Sequence, residues 1–318
     1  MQTDPERTRL ATLRRYLSPD TAVPESLTRI CELAAHLSGL PYAAVHLIDA
    51  EHQHRVAGVG VRLGSTPARD AMCRVVVMRG QRVTTDDATR NALFEGNPSV
   101  CGDEPVRAYS SHPLSDRDQQ VIGTLCVFGP QPAHLDATTV RMLDHLAAEA
   151  MQAFEHARAT RDLAHSATHD GLTGLPNRVL LTDRLEHALL RRTRGRLTVA
   201  MLDVDGFKAV NDTRGHAAGD AVLRQVAARL LRYTRTGDTV ARLGGDEFLV
   251  MAEDVEPGGE QLLLDRLRAA FDEPLSIGDS TVAIGASIGM CLAERGDTVD
   301  TLLHRADEAM YAEKAAHR

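Results

Sequence analysis

Two acidic stretches far apart in the chain carry the residues best able to do chemistry. An apolar run from Leu197 ends in Asp203-Val204-Asp205-Gly206-Phe207-Lys208, and Asp246 and Glu247 follow a glycine pair in Arg242-Leu243-Gly244-Gly245-Asp246-Glu247-Phe248. Brought side by side, these acids form a carboxylate cluster whose mutual repulsion a cation would relieve. Hard oxygen donors select Mg²⁺ or Mn²⁺. Lys208 adds a point charge suited to phosphate oxygens. Gly244 and Gly245, lacking a Cβ, let backbone approach a ligand and tolerate positive φ. The competing reading of the glycine pair and its acids, taken alone, is a tight acidic surface turn.

Between these stretches lies Asn211-Asp212-Thr213-Arg214-Gly215-His216-Ala217-Ala218-Gly219-Asp220. The two carboxylate oxygens of Asp220 complement the paired N1–H and N2–H donors of guanine, an edge adenine lacks, and Asn211 can both donate and accept. Both are equally ordinary as loop and cap residues.

These residues need elements to hold them. Val240 before and Leu249-Val250-Met251 after the glycine pair predict a hairpin with the pair at its tip. The run Leu197 to Val204 predicts a central strand, Ala221 to Tyr233 a helix, and Leu181, Leu185, Ala188 and Leu189 an amphipathic helix behind the turn Asp170-Gly171-Leu172-Thr173-Gly174-Leu175-Pro176-Asn177-Arg178. That turn is no Walker loop, since no GK[ST] ends it. Upstream, Leu135 to about Ala167 is strongly helical, with Val140, Leu143, Ala147, Ala150, Phe154, Ala157, Arg161 and Ala164 at the three- and four-residue steps of a coiled-coil seam. Its first half is expected to pack on the preceding domain and its second half to link and pair. Further upstream, helices are expected from Asp4-Pro5-Glu6, broken at Ser18-Pro19-Asp20, and from about Pro24 to Ser38-Gly39. Strand-like segments follow at Ala43–Ile48, Val56–Val61, Val75–Val77 and Val121–Phe128, an α+β pattern. The boundaries implied are 1–19, 20–134, 135–168 and 169–318. Gly58-Val59-Gly60-Val61-Arg62-Leu63-Gly64 has the wrong glycine spacing for a dinucleotide fingerprint.

At 318 residues two domains are expected, and the formal net charge of -8 excludes a general nucleic-acid binder. The basic run Arg191-Arg192-Thr193-Arg194-Gly195-Arg196 reads as a solvated helix C-terminus. Five widely spaced cysteines without a CxxC pair disfavour a zinc ribbon or redox dithiol motif and fit a reducing compartment. With no basic-apolar leader and no apolar run of membrane length, a cytoplasmic location without membrane or nucleic-acid partners is expected.

Residues 170–318 resemble the GGDEF family of diguanylate cyclases in several separate motifs. These are the DxLTxLxNR-like turn at 170–178, the intact block from Asp203 through Asp220, the GGDEF hairpin, and Ala306-Asp307-Glu308-Ala309-Met310-Tyr311-Ala312-Glu313-Lys314. The resemblance implies a palm-like nucleotidyl-cyclase fold and the condensation of two GTP into cyclic di-GMP with loss of two pyrophosphates. It also implies a homodimer, because each site holds one GTP. By the same resemblance, Asp203, the Val204 carbonyl, Asp246 and Glu247 hold metal, with Asp246 also the base and Lys208 stabilising transition-state charge. Phe207, Asn211, His216, Asp220, Gly244, Gly245, Lys314 and Arg318 line the GTP site. The usual GRN ending is replaced here by Ala315-Ala316-His317-Arg318. Arg235-Thr236-Gly237-Asp238, separated from Gly244 by the five residues Thr239 to Leu243, sits where product-inhibited cyclases carry their RxxD site. A catalytically silent receptor of GTP or cyclic di-GMP is the alternative, disfavoured because Asp203, Asp246 and Glu247 are all present. No EAL or HD-GYP segment follows, so phosphodiesterase activity is not expected.

Residues 20–155 resemble a GAF domain through Ser38-Gly39-Leu40-Pro41-Tyr42-Ala43-Ala44-Val45, Ala71-Met72-Cys73, Val83-Thr84-Thr85-Asp86-Asp87-Ala88-Thr89 and Ile122-Gly123-Thr124-Leu125-Cys126-Val127. This implies a six-stranded sheet with helices that senses a small molecule or spaces a dimer. His52 and His54 could hold a metal or meet a haem, or be solvated in a polar turn. Cys73 and Cys126 fall where the family often has cysteine and are expected as small buried hydrophobes.

Overall fold

The computed structural model describes residues 5–17, 23–191, 196–278 and 280–316. The chain divides into two compact units, Met1–Asp162 and Leu163–Arg318. No helix among the described residues is long and apolar enough to cross a membrane.

The first unit begins with helices α1 (Pro5–Arg14) and α2 (Ser26–Ser38), the latter closed by Gly39 at φ 66°. Then come strands β1 (Tyr42–Ile48), β2 (His52–Val59) and β3 (Gly64–Pro67), helix α3 (Arg74–Arg79), strand β4 (Val83–Thr85), helix α4 (Pro98–Cys101), and strands β5 (Ala108–Ser115) and β6 (Val121–Gly129). They form a six-stranded antiparallel sheet in the order β3-β2-β1-β6-β5-β4. Because side chains alternate along a strand, β1 feeds two cores. Ala43, Val45 and Leu47 meet α1, α2 and the long helix α5 (Ala137–Thr168), whereas Ala44 and Ile48 meet α3 and the segment around Phe94.

Several sequence expectations change here. Val75–Val77 is part of α3, not a strand: burial of Val76 and Val77 under the sheet overrides the β-preference of three consecutive valines. The strands β3, β4 and β5 were not expected as strands, since β3 is a short, wholly exposed edge and β5 is rich in serine. His52 and His54 lie on β2, not in a turn, and His54 Nε2 binds Asp49 at 2.8 Å while Nδ1 meets Ser65. The seam residues Val140, Leu143, Ala147, Ala150 and Phe154 are buried in the first unit's own core, so that stripe is already covered within the chain. After Phe154 no side chain of α5 is buried, and Leu163 is 72% exposed.

The second unit contains α6 (Arg178–Arg191), β7 (Arg196–Asp205), α7 (Phe207–Arg214), α8 (His216–Tyr233), β8 (Thr239–Gly244), β9 (Glu247–Val255) and α9 (Gly259–Ala269). After these come β10 (Leu275–Ile277), β11 (Ser280–Val282), β12 (Gly285–Leu292) and α10 (Val299–Ala316). A four-stranded antiparallel sheet runs β12-β7-β9-β8, beside the small hairpin β10-β11. In β7, Ala200, Leu202 and Val204 pack with α8 and α9; Val199 and Met201 point the other way, toward α6 and α10. Of the basic run, Arg191 ends α6 and Arg196 opens β7; residues 192–195 lie outside the described residues, as do 18–22. The helix expected from Ala221 starts five residues earlier at His216, so Asp220 is helical, and Asn211 sits on α7 instead of a loop.

Candidate functional site

Strand parity places the acids. Asp203 continues the odd-numbered face of β7, on the α10 side, and Asp203 is the register partner of Glu247 on β9. Glu247 shares that face with Leu249 and Met251. Like charges directly opposite on neighbouring strands are unfavourable, and the pair shows it. The Glu247 carboxyl is pushed above the usual carboxylate range by burial first, then by the negative charge of Asp203, with Asp246 and Asp307 adding to it against Arg178. Asp246 occupies the hairpin turn between β8 and β9, and its carbonyl accepts the Val204 amide at 3.2 Å, tying the tip to the end of β7.

Gly244 and Gly245 have φ of 149° and 51°. A Cβ added to either would meet nothing within 4 Å, so the backbone conformation, not crowding, demands glycine and leaves the tip's face open. Arg242 holds this tip. Its guanidinium donates to the Gly245 carbonyl at 2.7 and 3.1 Å and to both oxygens of Asp170 at 2.9 and 3.0 Å, while its amide donates to Pro176. Burial alone would raise the Asp170 carboxyl, but hydrogen bonds from Thr173 and Arg242 hold it below its ordinary value. This clamp joins the opening turn of the unit to the hairpin. Sequence reasoning missed it, since the partners are 72 residues apart and nothing in their spacing signals contact.

The last helix brings the cation closest to the acids. Lys314 Nζ lies 2.6 Å from Asp203 Oδ1, and the contact, more than the neighbouring charges, raises the lysine above its ordinary value. Lys314 thus rests on the carboxylate expected to hold metal. Gly289 makes that reach possible: a Cβ there would land on the backbone of Ala306 and Met310, so only glycine lets α10 lie against β12. Arg318 lies outside the described residues.

Around this centre, Lys208 is exposed on α7, Phe207 is half-buried, and His216 is exposed at the start of α8. Among the described residues, Asp220 has one ion-pair partner, Arg224, at 3.9 Å. Asn211 and α8 meet closely, because a Cβ on Gly219 would overlap the Asn211 side-chain oxygen and press the Phe207 ring at 3.2 Å. At the other end of β8, about 20 Å from the glycine tip at the rise of an extended strand, the Arg235 amide donates to Asp238 at 2.8 Å. The Arg235 guanidinium makes no ion pair among the described residues, and it lines a cavity of about 150 Å³ with Asp238, Glu253 and Arg266.

The donor set fits a hard divalent cation: Asp203 is buried, a cation already neutralises it, and Glu247 is destabilised by charge that a metal would offset. The carboxylates do not close on one point. Among the described residues, the one group of three with ligand atoms within 4.8 Å of one another is His46, Cys73 and Cys126, in the first unit.

The GGDEF family model, described as "Diguanylate cyclase, GGDEF domain", matches residues 167–318, and a GAF domain model matches residues 20–155. The chain is 47% identical over 161 residues to the bifunctional diguanylate cyclase/cyclic di-GMP phosphodiesterase MucR of Pseudomonas aeruginosa, covering 50% of this chain and 24% of that protein. It is 45% identical over 161 residues to diguanylate cyclase TpbB of the same organism, covering 49% of this chain and 37% of that protein. The chain thus spans well under half the length of these curated relatives. The structure of the coiled coil and GGDEF domain of DgcB from Caulobacter crescentus, in complex with c-di-GMP, aligns with a TM-score of 0.50 at 30% identity. That alignment covers 57% of this chain and 97% of that one. With an intact GGDEF hairpin set against the Asp203 strand end, the chain belongs to the GGDEF family of diguanylate cyclase domains, preceded by a GAF domain.

Proposed function

We propose that this protein condenses two GTP molecules into cyclic di-GMP, releasing two pyrophosphates, with Mg²⁺ or Mn²⁺ as cofactor. The observation that carries the reading is the pairing of Asp203 with Glu247 across β7 and β9, with Asp246 in the turn beside them. It supports an oxygen-rich centre assembled from distant sequence. Asp203, the Val204 carbonyl and Asp246 would hold one metal, with Glu247 supporting a second position. When bound, the cations supply Lewis acidity at the α-phosphate and lower the pKa of the attacking 3′-hydroxyl. Asp246 accepts the proton of that hydroxyl. Lys208 stabilises charge developing on the phosphates, joined by Lys314 once it leaves Asp203. Asp220 and Asn211 read the guanine edge, with His216 and Phe207 bordering the base and ribose; the open glycine tip underlies the phosphates.

Each chain supplies one GTP, so turnover requires a homodimer with two sites face to face. We assign the exposed second half of α5 to that pairing, with the GAF domain setting its geometry in response to a small ligand. The Arg235 guanidinium, without an ion pair among the described residues, and its cavity support product inhibition, Arg235 forking onto bound cyclic di-GMP. A reaction that consumes GTP belongs in the cytoplasm. Incubation of the protein with GTP and Mg²⁺, followed by mass analysis, tests the reading. Wild type yields cyclic di-GMP and Asp246→Ala yields none. Absence of product from wild type at every protein concentration would favour the silent receptor.

A further inference from the structure

The first unit holds a chemical centre of its own on the α3 side of its sheet. His46 on β1, Cys73 at the start of α3, Tyr109 on β5 and Cys126 on β6 form the buried floor of a cavity of about 250 Å³, whose rim includes the exposed Thr66, Pro67 and Ser99. Both sulfurs lie 3.5 Å from His46 Nδ1, and Tyr109 donates its hydroxyl to Cys73 Sγ at 3.2 Å. On its far side, His46 Nε2 receives Arg55 Nε–H at 3.2 Å.

Arg55 decides what this cluster does. A guanidinium can only donate, so Nε2 is the acceptor and the imidazole proton sits on Nδ1, aimed at the sulfurs. A metal on Nδ1 would move that proton to Nε2, donor against donor, so the arrangement opposes a metal and favours a thiolate. Cys73 meets the Nδ1–H and the Tyr109 hydroxyl as donors, with the Cys126 thiol within 4.8 Å. The Cys126 hydrogen bond first, then His46, hold the Cys73 thiol well below the ordinary thiol range despite burial, while the same bond and burial push Cys126 up. Cys31, also buried but with a single backbone donor at Val45 in place of this cluster, is pushed up to about 12 by burial.

We propose that Cys73 and Cys126 are a reactive thiol pair, oxidised to a disulfide by a hydroperoxide that enters this cavity. The Cys73 thiolate attacks the distal peroxide oxygen, the O–O bond breaks, and the leaving alkoxide or hydroxide takes a proton. Cys73 is then a sulfenic acid. The Cys126 sulfur attacks the Cys73 sulfur, the S–O bond breaks, and the oxygen leaves as water with the Cys126 proton. In sum, two thiols and one hydroperoxide give one disulfide, one alcohol (or water) and one water, the sulfurs losing two electrons. An external dithiol reverses the change by disulfide exchange. The sulfurs already lie within 4.8 Å, and closing to a bond of about 2 Å moves α3 against β6.

The test uses reduced full-length protein treated with one equivalent of hydrogen peroxide, blocked with N-ethylmaleimide and mapped by mass spectrometry. The expected result is a Cys73–Cys126 linked peptide, with Cys31, Cys101 and Cys291 recovered as alkylated thiols. In Cys126→Ser, dimedone should label Cys73 at least about tenfold faster than the exposed Cys101, as thiolate character dictates. If that variant does not fold, the wild-type map decides alone. Preferential oxidation of Cys101 with Cys73 and Cys126 still reduced, or stoichiometric zinc held by the purified protein through these two thiols, would overturn the proposal.

Discussion

At the scale of single residues, the site is governed by charges that oppose one another. A carboxyl whose folded pKa is raised stabilises the fold below the ordinary carboxylate range and loses that contribution as pH rises through the folded value. For Glu247, metal-free protein should therefore lose stability as pH climbs above about 4.3. Glu247→Gln should raise the metal-free melting temperature near neutral pH and leave it unchanged in acid. Added Mg²⁺ should stabilise wild type more than the variant; thermal melts across pH with and without metal check both. Asp246 and Glu247 were legible because they are adjacent in a motif with a backbone reason for its glycines. That Glu247 and Asp203 share a face with α10 was not, since parity along β7 fixes the face but no local pattern says which helix covers it.

At the scale of elements, two devices position the chemistry. Arg242 links Asp170 to the Gly245 carbonyl, so the hairpin tip depends on a turn at the unit's start. Arg242→Ala should cost about 1–3 kcal/mol, between exposed and buried charged contacts. It should also lower turnover more than it lowers GTP affinity, which denaturation and steady-state kinetics separate. The second device is the seat of α10 on β12. Gly289→Ala forces backbone apart and should cost at least about 1–3 kcal/mol, with loss of the Lys314–Asp203 contact read by the lysine's NMR titration. Helices α2, α6 and the hairpin could be read from periodicity and turn residues. Helix α3 could not, because three valines carry a strand preference that only burial under the sheet reverses. The early start of α8 escaped for a related reason: Gly215 to Gly219 reads as loop, yet Gly219 is there to admit Asn211 and Phe207.

For the whole molecule, the long helix α5 changes meaning along its length. Its heptad-like stripe through Phe154 is core of the first unit, so Leu143→Glu should unfold that unit without informing on assembly. Leu163, exposed beyond it, is the position that would report on the proposed pairing. Leu163→Glu should leave melting unchanged, lower cyclic di-GMP formation at low protein concentration, and be rescued as concentration rises. Sedimentation alongside activity checks this, and concentration-independent activity would exclude α5 from the pairing surface. The seam was legible as a period in sequence; its partner was not, because the same spacing serves a sheet and a second copy alike.

The contact of Lys314 with Asp203 reaches further than local neutralisation. An ammonium on that carboxylate must be displaced before a cation can sit there, and nucleotide phosphates offer it somewhere to go. On the proposed reaction, metal and nucleotide would be thermodynamically linked through this side chain, each raising the other's affinity by the same factor. Mn²⁺ titrations with and without a non-hydrolysable GTP analogue should differ in wild type and differ less in Lys314→Met, with the metal alone binding the variant more tightly. Such a site would, on the proposed reaction, bind free divalent ions weakly and fill more fully once nucleotide is present.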